Sequence, residues 1–266
     1  MTWAGLESAR VSTAQLADIV PEVEESAWQL PSACPRWRVI DVIAHLGALA
    51  HEAVEPPAPD PSWPKNRERY HDLRVDERRG RSHTEVIDEW RRFTPLQLTM
   101  LERGQEMPQA QDPVLVPGLG TYPRHLLANT MAFNVLCHLR YDLLAPAGPL
   151  PFELPPPTDD LVAPAVEFML AGLPQMQGRE LDVTVSEPLV LDLTGPGRTT
   201  VTVLPARGPD DHVTVVPGDD GAATRVRSSA SDFISWGTTR TSWRESCEIT
   251  GDPSVAEPFL DRLDII

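Results

Sequence analysis

Apolar residues recur at helical spacing through most of the first 145 positions, and in short Val/Thr/Leu runs later in the chain. Ala14, Leu16, Ile19, Val20, Val23 and Trp28 predict a helix capped by Ser12 or Thr13, with Pro21 as a kink. Trp37, Ile40, Val42, Ile43, Leu46 and Leu49 predict a second helix starting near Trp37. Val86, Ile87, Trp90, Phe93 and Leu96 predict a third, starting near Ser82 or Thr84 and complicated by Pro95. A fourth is expected from Pro123 to Leu144; Leu126, Leu127, Met131, Phe133, Val135 and Leu139 make it apolar nearly all round, hence the most buried. Residues 56–64, with five prolines in nine positions, predict a stiff extended loop, and roughly 104–121 predict a second loop.

Residues 145–157, APAGPLPFELPPP, have the composition of an interdomain linker. Beyond them, LVAPAVEFMLAGL predicts a helix, and LDVTVSE, LVLDLTG, TTVTVLPA and DHVTVVPG predict short antiparallel strands, with TGPGR as a hairpin turn. Two helices, SASDFISWGTTR and DPSVAEPFLDRLDII, close the chain. The fold class is therefore α+β in two domains: an up-down bundle of four helices over 1–147, and a small α+β domain with an antiparallel sheet over 158–266.

Composition narrows the function classes. With 39 acidic against 23 basic side chains in 266 residues, the net charge is −16, which repels phosphate backbones and argues against nucleic acid as partner. No run approaches the roughly 18 apolar residues that cross a bilayer. The start MTWAGLESAR lacks the basic and apolar regions of a secretory leader, so a cytoplasmic location is expected. Three widely spaced cysteines, Cys34, Cys137 and Cys247, form neither a disulfide framework nor a zinc ribbon. Cys137 is expected as a small core residue, so any reactive sulfur has to come from a bound thiol.

Two histidines lie in apolar helical runs. His45 shares a face with Val42 and Leu49; His138 has Asn134 four residues before it and Asp142 four after it. Bringing helices two and four together aims His45, Asn134 and His138 at one point, a donor set that suits zinc or nickel with positions left open. The same placement also suits hydrogen-bonded core histidines. His51, His71 and His83 are expected in or beside solvated loops, His125 at an exposed helix start, and RVDERRGRSH as a solvated helix start.

The segment CPRWRVIDVIAHLGAL resembles the second helix of the actinobacterial, mycothiol-dependent maleylpyruvate isomerase family, one of the DinB-like metal-binding bundles. Cys34, Trp37, Val39, Asp41, Val42, His45 and Leu46 occupy its recurrent pattern. Asn134 and His138 fill slots that hold a carboxylate and a histidine in that family. Trp236, Gly237, Arg240, Thr250, Gly251, Asp252 and Pro253 resemble its sterol-carrier-like second domain. The resemblance implies a divalent metal, zinc by analogy, on His45, Asn134 and His138, with mycothiol as thiol cofactor. It also implies an isomerase or S-transferase acting on a small electrophilic, carboxylate-bearing substrate. Arg240 is then a candidate for holding that carboxylate across the domain interface, an ion pair being the other option. Trp236 and Trp243 are expected to anchor the C-terminal helix. Asn134 departs from the pattern: a neutral amide offers a carbonyl oxygen without charge, which leaves a weaker site or a non-catalytic binding module. An interaction protein with an acidic docking surface is the third class compatible with the charge.

Overall fold

The computed structural model describes residues 3–177, 179–208 and 211–265. The chain divides into two compact units: Met1–Gly118 with Tyr122–Pro156, and Leu119–Thr121 with Pro157–Ile266. Fold class follows the sequence expectation, with helices first and a sheet domain after them.

Five helices build the first unit: α1 (Trp3–Ile19), α2 (Val39–Val54), α3 (Arg67–Asp76), α4 (His83–Arg103) and α5 (Leu127–Cys137). Helix α1 starts well before the expected Ser12, which is buried in mid-helix. Its inward face is mostly small, Gly5, Ser8, Ala9 and Ser12, so apolar periodicity does not register there. A Cβ on Gly5 would stand 1.9 Å from Asn129 Oδ1, which shows how closely α1 approaches α5. Helix α2 is fixed at its start by Asp41: the Arg38 backbone N–H donates to Asp41 Oδ2 at 2.9 Å, and the Arg38 guanidinium grips both carboxylate oxygens. Helix α4 begins on a reciprocal Ser82–Glu85 cap and runs through Pro95 without ending. Helices α2 and α4 pack together through a core that includes Val42, Ile43, Leu46, Val86 and Trp90.

Three departures bear on function. Helix α3 lies where loop and solvated chain were expected; it carries a single fully buried residue, Val75. A two-stranded hairpin, β1 (Pro113–Val116) and β2 (Gly120–Pro123), occupies the expected loop and the start of the expected fourth helix. That helix is in fact α5 followed by a π-helical turn over His138–Leu143. The widened turn leaves the Asp142 carbonyl accepting from Ala33 N–H at 3.0 Å, in the loop before α2.

In the second unit, α6 (Asp159–Met176) and a short α7 (Arg179–Asp182) precede the strands β3 (Leu189–Thr194), β4 (Thr199–Leu204), β5 (Thr214–Pro217), β6 (Thr224–Ser229) and β7 (Glu248–Thr250). Their order is β5-β4-β3-β6-β7, antiparallel throughout except for the parallel β3–β6 pair. The TGPGR hairpin joins β3 and β4 as expected, with Gly195 and Gly197 at φ of 74° and 79°. LDVTVSE forms no strand; its start finishes α7. Strand β6 shows no hydrophobic alternation because its buried positions are Thr224, Val226 and Ser228. Helix α8 (Ala230–Gly237) packs on β3 and β6, and α9 (Pro253–Arg262) on β6 and β7. Gly251 precedes α9 at φ 92°, where a Cβ would meet the Ala223 carbonyl oxygen at 2.3 Å. No helix among the described residues is long and apolar enough to cross a membrane.

Candidate functional site

Three imidazoles from three elements meet inside the helical unit. His45 comes from α2, His71 from α3, and His138 from the π-helical turn after α5. The His45 ring centre lies 4.5 Å from that of His71 and 4.9 Å from that of His138. Trp37 walls one side, its ring 4.9 Å from His45 and 6.1 Å from His138. Its indole N–H donates to Asp72 on α3 at 3.1 Å, and Arg36 pairs with the same carboxylate, so the pre-α2 loop ties α3 against the site.

The rings differ in their partners. His138 Nδ1 is 2.7 Å from Asp142 Oδ2, and the Asp142 side chain is fully buried. That bond turns Nε2 of His138 away from the carboxylate. Asn134 donates its amide N–H to Thr130 O at 3.0 Å. His45 Nδ1 is buried with no hydrogen-bond partner. Burial first, then the neighbouring His71 and His138 rings and the Arg67 charge, hold His45 well below its ordinary pKa. Burial, with Arg67 and His138, takes His71 down to about 3.

Arg67 opens α3 on this side. Its Nε is buried without a partner, and its guanidinium carbon sits 5.2 Å from the Tyr70 ring centre. Burial lowers its pKa, partly offset by Glu52 and Tyr70. Glu52 accepts from Tyr70 Oη at 2.8 Å and pairs with Arg74. A cationic group therefore faces neutral imidazoles, a setting suited to an anionic ligand.

A sequence comparison decides the family. The model of the mycothiol maleylpyruvate isomerase N-terminal domain family matches residues 9–143, about half the chain. The chain belongs to this family. Two solved structures share its fold: a mycothiol-dependent maleylpyruvate isomerase (19% identity, TM-score 0.58) and a point mutant of that enzyme (18%, 0.57). In both comparisons the match covers 93% of this chain and 92% of the other. No curated protein matches.

In this maleylpyruvate isomerase family member the His45 and His138 ring centres lie 4.9 Å apart, while Asn134, one turn before His138, donates its amide N–H to Thr130 O. Arg240 lies in the second unit, after α8, with its N–H bonded to Ser235 O at 2.9 Å. It lines an open hollow of about 500 Å³ with Trp236, Trp243, Arg244 and Asp261. Trp243 does anchor α9, donating to Asp261 at 2.8 Å, whereas Trp236 bonds Ser228 and ties α8 to the sheet. Cys137 is a buried core residue.

Three histidine expectations need correction. His71 is half-buried in the cluster rather than solvated, because Asp72 and Glu52 draw α3 inward. His51 stacks on Phe93 at 3.9 Å and pairs with Glu89 at 2.7 Å. His83 starts α4 and contacts Glu25 and Gln29. His71 and Arg67 are the site residues the sequence argument missed. Their signal is polar: Arg67, His71, Arg74 and Arg78 follow i, i+4, i+7, i+11 spacing along one face.

Among the described residues, no three or more His, Cys, Asp or Glu side chains stand as an assembled cation site. The rings of this structure pack on one another instead. Their chemistry still suits a divalent cation of borderline softness: neutral imidazoles, an orphaned buried Nδ1, and a second ring oriented by a carboxylate.

Proposed function

We propose that this chain is a thiol-dependent isomerase or S-transferase, using mycothiol or a similar small thiol on an electrophilic, carboxylate-bearing substrate. Family membership supports thiol-dependent isomerase chemistry, and the single observation that carries the assignment to this site is the His45–His138 pair, 4.9 Å between ring centres, with His138 held by Asp142. The relatives of known structure are named as mycothiol-dependent maleylpyruvate isomerases, so an unsaturated oxo-acid is the first substrate class to test.

His45 and His138 would hold a divalent cation, zinc in the first instance, with the Asn134 amide oxygen as an uncharged third donor. When bound, the cation lowers the pKa of a coordinated thiol, whose reversible addition permits rotation about a carbon–carbon double bond. Asp142 keeps the His138 Nδ1 proton, so that Nε2 presents its lone pair. The depressed pKa of His45 keeps that ring neutral and able to donate a lone pair at neutral pH. Trp37 covers one side and limits water. Arg67 offers the charge-assisted hydrogen bonds that position a substrate carboxylate, a role for which Arg240 is the candidate in the second unit.

The test is metal content after purification without added metal and again after divalent ions are supplied, for wild type, His45→Ala and His138→Ala. Thiol-dependent cis–trans isomerisation of an α,β-unsaturated oxo-acid is followed in parallel. A wild type that never carries stoichiometric metal sinks the metal-thiol reading. One observation favours a second reading, a non-catalytic binder of the same fold: Asn134 supplies no charge where the family pattern has a carboxylate.

A further inference from the structure

We infer that His71 is a ligand in its own right, the third imidazole of a three-histidine cation site with His45 and His138. This inference rests on the reading of the bundle site as a metal site and deepens it. The spacing carries it first. An imidazole nitrogen sits about 2.0–2.1 Å from a bound divalent ion, which puts ring centres sharing one ion about 5 Å apart. The observed separations are 4.5 Å for His45–His71 and 4.9 Å for His45–His138.

The partners carry it second. A core histidine kept for structure satisfies its ring nitrogens, because a buried polar atom left unpaired is costly. His45 Nδ1 has no hydrogen-bond partner, and the His71 ring packs edge-on against His45 and lies 6.0 Å from the Tyr70 ring. One of the three rings thus keeps a buried nitrogen without a partner beside the other two, and Asp142 orients the His138 ring.

The construction of α3 carries it third. A helix with one buried apolar residue has little hydrophobic reason to lie here. It is held by directed polar contacts from Asp72 to Trp37 and Arg36, and from Glu52 to Tyr70 and Arg74, on both sides of His71. Three imidazoles with one position open are an established zinc donor set, and they need no carboxylate. The uncharged Asn134 is then tolerable, because His71 supplies the missing donor rather than the missing charge.

The experiment titrates chelator-stripped full-length protein with Co²⁺, read by its visible d–d absorption, and with Zn²⁺ by competition against a chromophoric chelator. Wild type, His71→Ala, His45→Ala and the exposed α3 variant Arg69→Ala are compared, with circular dichroism as the folding check. One equivalent is expected in wild type and in Arg69→Ala. His71→Ala should lose more than the about 10- to 100-fold that an outer-shell change costs, with an altered Co²⁺ spectrum. Added imidazole should restore the spectrum in His71→Ala, which a folding defect would not allow. If His71→Ala matches wild type in affinity and spectrum while His45→Ala fails, the His71 inference falls and the metal reading survives. If wild type binds neither ion, the metal reading falls and takes this inference with it.

Discussion

His138 Nδ1 and Asp142 Oδ2 stand 2.7 Å apart, four residues along the chain, across a π-helical rather than an α-helical turn. The carboxylate is buried behind the ring, so its role is to fix which nitrogen of His138 faces the cluster. Asp142→Asn should therefore weaken Zn²⁺ binding by about 10- to 100-fold. A chelator-competition titration measures this; unchanged affinity would mean that the pair serves packing alone.

Asn134→Glu places a charged donor beside His45. Cation affinity should rise by about tenfold or more, since a carboxylate adds attraction that an amide lacks. The same titration decides it, and no change would place residue 134 outside the ligand set.

Arg67→Gln removes the cation facing the imidazoles. Charge-assisted hydrogen bonds contribute about 1.5–3 kcal/mol, so binding of a small dicarboxylate such as maleate should fall by about 10- to 100-fold. Calorimetry on metal-loaded protein gives the answer, and Arg69→Gln on the exposed side of the same helix is the control.

The metal-free protein should lose stability as the solution is acidified. An unfolded histidine titrates near ~6.5, whereas folded His71 titrates at about 3 and His45 well below its ordinary value. Between these values the unfolded chain binds more protons, so this contribution is full above about pH 6.5 and is lost as pH falls toward about 3. Melting temperatures from pH 8 to 4 should slope downward in wild type and less steeply in His71→Asn. Equal slopes would show that His71 does not titrate in the cluster.

Gly5→Ala should destabilise even though alanine is the better helix former. Its methyl would meet Asn129 Oδ1 at 1.9 Å, and forced overpacking costs about 1–3 kcal/mol against about 1 gained in propensity. Urea unfolding reports the difference.

Where apolar residues carry the packing, the sequence is transparent. Val42 and Leu46 place α2 and with it His45; Val135 and Leu139 place His138 and its neighbour Asn134. The strands β3 and β4 and their hairpin are legible for the same reason. Structure held by polar contacts is not. Helix α3 with His71 and Arg67 is seated by carboxylates at Asp72 and Glu52, which look like ordinary surface charge until their partners are known. The π-helical turn leaves no mark on the periodicity of α5, and β6 buries threonine and serine where hydrophobic alternation would have revealed it.

The polar seating of α3 makes its position sensitive to ionic strength. Screening at about 1 M salt shortens the reach of charge to about 3 Å and weakens exposed ion pairs most. Arg36, which grips Asp72, is such a group, whereas the contacts through Glu52 are more sheltered. Rising salt should thus loosen the helix at its Asp72 tie and leave the α2–α4 core intact. His71 would then withdraw while His45 and His138 stay, and the maleylpyruvate isomerase family member would possess an electrolyte-dependent third wall.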